Sequence, residues 1–144
     1  MRVSTKGRYA LRLIIDIAVN SAKKPVSIKD VSIRENISDK YLEQIISILN
    51  SGGIVRSVRG PQGGYMLRKA PEDITVGMIL RLTEGTISPV ACVEEDSPTC
   101  NRMTVCSTYE LWKRLNQAIA DVLDTTTIAD LVANRPDAGN DYCI

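Results

Sequence analysis

Residues 59–64 read Arg-Gly-Pro-Gln-Gly-Gly, with three glycines and a proline in six positions, and no helix or central strand runs through such a stretch. Gly admits backbone conformations closed to other residues and Pro has no N–H to give to a ladder, so the segment is a turn. The flanks, residues 54–58 (Ile-Val-Arg-Ser-Val) and 65–67 (Tyr-Met-Leu), have the length and composition of hairpin strands. A nucleotide-cradling glycine loop would need to join a strand to a helix and to end in GK[ST]; here a second strand follows and no GK[ST] is present.

What precedes the hairpin suggests its use. Thr5 is placed to cap a helix over residues 6–22, with Leu11, Ile14, Ile15, Ala18 and Val19 as an apolar stripe and Lys6 and Arg12 on the other face. Ser27 and Asp30 open a short second helix to residue 35, with Val31 inward. After the turn Asn36-Ile37-Ser38, Ser38 caps a third helix whose Leu42, Ile45, Ile46 and Leu49 follow the i, i+3, i+4, i+7 pattern up to Gly52-Gly53. Two helices across so tight a turn, followed by a hairpin, predict a winged helix-turn-helix. The outer face of the third helix carries Asp39, Lys40, Glu43, Gln44 and Ser47, with Tyr41 near its start. Such side chains read base edges in a major groove, while an Arg at a wing tip responds to minor-groove width and potential. Arg2, Lys40, Tyr41, Glu43, Gln44, Arg59 and Gln62 are therefore the candidate DNA contacts, against the plainer reading of a solvated polar face.

Charge supports a polyanionic partner for this half alone. Residues 1–69 hold thirteen Lys/Arg against five Asp/Glu, and residues 70–144 hold five against twelve, so a net charge of +1 conceals a basic half joined to an acidic one. The first ten residues have no apolar signal-like run, and no membrane-spanning stretch follows, so the expected location is the cytoplasm, with thiols reduced.

Three of the four cysteines, Cys92, Cys100 and Cys106, fall within fifteen residues in a segment with no periodicity, rich in Glu94, Glu95 and Asp96 and holding Pro98. Three soft sulfur donors on one loop suit an iron–sulfur cluster. Zinc or a redox thiol switch, and no site at all, stay open as alternatives; zinc is disfavoured by the lack of paired C-x2-C knuckles and of any His. The neighbouring acids are expected to raise the thiol pKa values, and the loop without metal to be mobile or propped by contacts that the sequence does not reveal. No imidazole base, carboxylate pair or nucleophile elbow appears, so an enzyme is not expected.

Residues 71–75 lead into a helix over 76–84 with Val76, Ile79 and Leu80 inward, ended by Gly85. Ser107 and Glu110 form a capping box opening the longest helix, to about residue 124, where Leu111, Leu115, Ala118 and Val122 make a heptad seam for a second copy while Trp112 and Ile119 pack elsewhere. Thr127 and Asp130 cap a short last helix before a polar tail with Cys143. The organisation expected is 1–70 winged helix-turn-helix, 71–106 linking helix and cysteine loop, 107–133 dimerisation helix and final helix, and 134–144 tail: mainly α, with a small β-hairpin wing.

The runs Met1-Arg2-Val3-Ser4-Thr5-Lys6-Gly7-Arg8-Tyr9-Ala10, Tyr41-Leu42-Glu43-Gln44 and Val58-Arg59-Gly60-Pro61-Gln62-Gly63-Gly64-Tyr65 resemble signature stretches of the bacterial winged-helix repressors that include IscR, NsrR and CymR, over nearly the whole chain to about Val132. The resemblance implies a homodimer on a partly palindromic double-stranded DNA operator. It also implies cluster ligation by Cys92, Cys100 and Cys106, with [2Fe-2S] ahead of [4Fe-4S]. Two positions depart from the cluster-bearing members. Where the IscR type has a fourth-ligand His shortly after its third cysteine, this chain reads Cys106-Ser107-Thr108-Tyr109, and where some NsrR-type members have an N-terminal acid it has Arg8. The run Glu84-Gly85-Thr86-Ile87-Ser88-Pro89-Val90 is similar to the CymR type, which lacks the cysteines. A cluster-free, thiol- or partner-responsive repressor of sulfur metabolism, with a sulfur-metabolism protein as partner, is accordingly the second reading.

Overall fold

The computed structural model describes residues 2–136; the tail carrying Cys143 lies outside the described residues. In chain order the elements are α1 (Thr5–Asn20), α2 (Ile28–Glu35), α3 (Asp39–Ser51), β1 (Val55–Val58), β2 (Gly64–Leu67), a 3-10 turn (Pro71–Asp73), α4 (Val76–Glu84), a second 3-10 turn (Ala91–Val93), α5 (Tyr109–Thr125) and α6 (Ile128–Ala133). The fold is mainly helical with one two-stranded antiparallel hairpin, in which Val55 pairs with Leu67 and Val58 with Gly64.

Hydroxyl caps set most helix starts, because each satisfies a backbone N–H that the first turn leaves unpaired. Ser27 accepts from Asp30 N and Ser38 from Tyr41 N. Ser4, not Thr5, caps α1 by accepting from Gly7 N, since Ser4 holds the extended backbone of a cap and Thr5 is already helical. The α1 stripe also differs from expectation. Ala10, Leu13, Ile14 and Ile17 are the buried members, Leu11, Ile15 and Ala18 pack at their edge, and Val19 is 37% exposed. Two neighbouring stripes of α1 are apolar, and packing against α3, α4 and α6 selects between them.

Val31, Leu42, Ile45 and Leu49 are fully buried with the α1 face. The same core takes in Ile74, Ile79 and Ile128, so the last helix returns to the first three helices after α5 has left them. Backbone bonds pin the return, from Ile128 N to Ile74 O at 2.8 Å and from Val76 N to Thr126 O at 2.9 Å. The wing is tied to the body by a bridge between Val26 and Tyr65, with bonds of 3.0 and 2.8 Å.

Among the 17 residues of α5 none is buried; Leu111 is 52% and Val122 62% exposed. Arg81 on α4 holds the helix by bonding both carboxylate oxygens of Asp124. That contact raises the Arg81 pKa and lowers that of Asp124. Among the described residues no helix is long and apolar enough to cross a membrane.

Candidate functional site

The α2–α3 turn, the helices it joins and the hairpin behind them form the candidate reading head. Asn36 ends α2 in the left-handed conformation with φ 54°, which Asn tolerates better than most residues, and Ser32 Oγ donates to the Ile37 carbonyl at 2.6 Å. Below the turn, Arg34 Nε and Nη2 donate to the two oxygens of Asp16 at 2.9 and 2.7 Å. This fixes α2 to α1. The core face of α3 points Leu42, Ile45, Ile46 and Leu49 inward, and by helical geometry Lys40, Glu43, Gln44 and Ser47 face out, all exposed, with Tyr41 half-buried. Arg59 and Gln62 are exposed in the turn that follows β1. Residues 52–69 contain Arg56, Arg59, Arg68 and Lys69 and no acid, so every charged side chain of the hairpin is positive. Arg2 is placed elsewhere, with Val3, Leu80, Glu84, Ile119 and Val122 on the wall of an apolar cavity of about 750 Å³ between the N-terminus, α4 and α5.

The cysteine segment is irregular, as its composition predicts, apart from the turn Ala91–Val93 and a left-handed Asp96 at φ 63°. Cys92 is half-buried, Cys100 and Cys106 exposed. Cys92 and Cys100 line one cavity of about 380 Å³ together with Glu94, Met103, Tyr109 and Lys113, against the first half of α5. The segment is propped from α5 by Asn116, whose Nδ2 donates to the Val93 carbonyl at 3.3 Å, a contact that leaves no signature in sequence spacing.

Cys106 is not on the cavity wall; its Sγ lies 3.3 Å from the Thr108 hydroxyl. The residue capping α5 is Thr108 and not Ser107, and no side-chain capping bond forms, because the Thr108 hydroxyl is turned to the sulfur. The Cys106 pKa is lowered, not raised, chiefly by the Thr108 side-chain hydrogen bond and with help from its backbone and from Arg102. Hydrogen bonds to a thiolate favour its charged form and so lower the pKa. Among the described residues no three His, Cys, Asp or Glu side chains are held close enough to share one ion. As a donor set the three thiols still fit an iron–sulfur cluster, which takes cysteine thiolates.

The family model described as an iron-dependent transcriptional regulator, Rrf2, matches residues 3–134. The chain is 42% identical over 133 residues to the HTH-type transcriptional regulator CymR of Bacillus subtilis, covering 92% of this chain and 91% of that protein. It is 40% identical over 135 residues to the HTH-type transcriptional regulator IscR of Erwinia tasmaniensis, covering 94% and 81%. Among solved structures, that of CymR, the global cysteine regulator of B. subtilis, superposes with a TM-score of 0.78 at 42% identity, covering 94% of this chain and 99% of that one.

Proposed function

We propose, from the premise that this chain belongs to the Rrf2 family of transcriptional regulators, that it is a homodimeric repressor whose DNA binding responds to an iron–sulfur cluster held by Cys92, Cys100 and Cys106. DNA-binding regulation follows from the family; the cluster and the dimer are the proposal. The observation that carries it is the pair Cys92 and Cys100 on one cavity beside α5, with Cys106 two residues before the Thr108 cap of that helix. Thiolate ligands at these positions would tie the start of α5 to its middle. The exposed seam of Leu111 and Val122 supports a second copy along α5, so a change at the loop reaches the relative placement of two reading heads. When bound, the cluster supplies a redox-active centre whose presence reports iron and sulfur supply.

Protein purified without oxygen is expected to absorb in the visible, and a Cys92→Ala/Cys100→Ala/Cys106→Ala variant to be colourless. Hydrogen exchange across residues 92–106 should slow with the cluster bound, and operator affinity should differ between the two proteins. A colourless parent that carries no iron removes the cluster reading. Slowed exchange with equal affinity for every operator makes the site structural only.

The second reading, a cluster-free, thiol- or partner-responsive repressor of sulfur metabolism, is favoured by the exposed Cys106, whose pKa is lowered chiefly by the Thr108 hydrogen bond, and by the likeness to a cysteine regulator.

On DNA, α3 is assigned to the major groove and the wing to the minor groove. Arg59→Ala is expected to lower operator affinity by more than the loss of one phosphate contact would, and to reduce the salt slope because the cation also displaces counterions. Gln44→Ala should leave the slope unchanged and lower discrimination between operator and random DNA by about 1–3 kcal/mol. Titrations at several salt concentrations separate the two; identical profiles for both variants would reject the division of roles.

A further inference from the structure

Four side chains, Glu35, Arg12, Tyr9 and Tyr41, link the end of α2 to the start of α3 across their turn. Glu35, the last residue of α2, accepts Arg12 Nε at 3.0 Å on its carboxylate and Arg12 Nη2 on its carbonyl oxygen. The Arg12 guanidinium lies over the Tyr9 ring, 5.4 Å from its centroid. Tyr9 meets Tyr41 edge to face, with centroids 5.7 Å apart and planes at 78°, and Tyr41 stands in the first turn of α3. Tyr9 and Arg12 are one helical turn apart on α1, so a single rigid element grips the end of α2 and the start of α3. Edge-to-face aromatic pairs and cation–π contacts are directional and resist rolling as well as separation.

We propose that Tyr9 and Arg12 are positioning residues for base reading, which set the angle at which α3 leaves α2 and act through Tyr41 and Glu35 without touching DNA. Arg12 has its Nε and Nη2 committed to Glu35 and one face committed to Tyr9, so it is poorly placed to serve as a phosphate ligand. Side chains at the start of a recognition helix must meet base edges within hydrogen-bond tolerance, so a small rotation costs discrimination before it costs backbone affinity. The inference rests on the reading of α3 as the helix in the major groove.

The test uses the full chain and DNA enriched by the parent protein from a random-sequence duplex library, with the unselected library as reference. Tyr9→Leu and Arg12→Met are each expected to reduce the enriched-to-unselected affinity ratio by up to about tenfold, the size of one aromatic or cation–π contact, with the salt slope unchanged. Tyr9→Phe keeps the ring and should stay within about twofold of the parent. An unchanged ratio in both Tyr9→Leu and Arg12→Met overturns the proposal. So does a salt slope lower by about one unit, which would make Arg12 a phosphate contact. Should Tyr9→Leu lose its fold by circular dichroism, Arg12→Met decides alone, because its side chain is 44% exposed and is not part of the buried core. Gln44→Ala is measured in parallel. If it lowers the ratio while the clamp variants do not, the clamp falls and the α3 reading stands; if none of them lowers it, the α3 reading falls as well.

Discussion

Arg34→Met is expected to lower folding stability by about 3 kcal/mol, at the low end for breaking a buried ion pair. The Asp16 carboxylate is 3% exposed and receives both donors of the Arg34 fork, whereas Arg34 itself is 40% exposed. Removing the arginine therefore strands an anion with little water, and removing the aspartate leaves a cation that can hydrate. The order of effects follows: Arg34→Met is more damaging than Asp16→Leu, and the double variant recovers part of the loss because neither charge remains. Urea unfolding of the three variants checks this, with midpoints compared at constant m. A loss below about 1 kcal/mol for Arg34→Met would mean that Asp16 is relieved by a route other than this pair.

Gly64→Ala is expected to detach the wing. A Cβ at this position would lie 2.3 Å from the Val26 carbonyl oxygen, 2.5 Å from its carbon and 3.0 Å from Ser27 N, all of them backbone atoms. Two of them belong to Val26, the strand-like residue that exchanges two hydrogen bonds with Tyr65, and the third to the residue after it. Relief requires the hairpin and the residues before α2 to part, breaking those bonds at a cost of about 2–4 kcal/mol. A displaced wing cannot deliver Arg59, so operator binding should fall on the order of 100-fold, equivalent to about 2.7 kcal/mol. Gly60→Ala is the control: its φ of +115° disfavours a side chain, yet nothing lies within 4 Å, so the strain stays local at about 1–2 kcal/mol. Melting curves and DNA titrations of both variants test the contrast. Equal effects would show that the close approach at Gly64 does not hold the wing.

How much was legible in the chain depended on how local the determining physics was. The caps at Ser27, Ser38 and Thr127, the buried series Leu42, Ile45, Ile46 and Leu49, and the glycine turn act within a few residues of themselves, and they were read where the structure has them. The α1 stripe was displaced because two adjacent apolar faces have the same period and only packing against other helices chooses one. Thr108 was missed as the α5 cap because Ser107 fits a capping-box pattern, whereas the outcome turns on a hydroxyl drawn to Cys106. The same contact reversed the expected direction of the Cys106 pKa.

The cysteine spacing, the division of charge and the turn chemistry are properties of the chain alone, and they determined that a basic winged reading head is joined to an acidic, thiol-bearing half. Only the tertiary structure decided that Cys92 and Cys100 share a cavity from which Cys106 stands aside, that Arg2 lies beside α4 and α5 and not with α3 or the wing, and that Ile128 closes the core of the head. It likewise brought Glu35, Arg12, Tyr9 and Tyr41 into one stack. The reason is range: hydrogen-bonded caps and helical periodicity are set by residues within about one turn of one another. Contacts between side chains distant in sequence depend on where whole helices pack, and single-residue patterns do not encode that separately from the packed core.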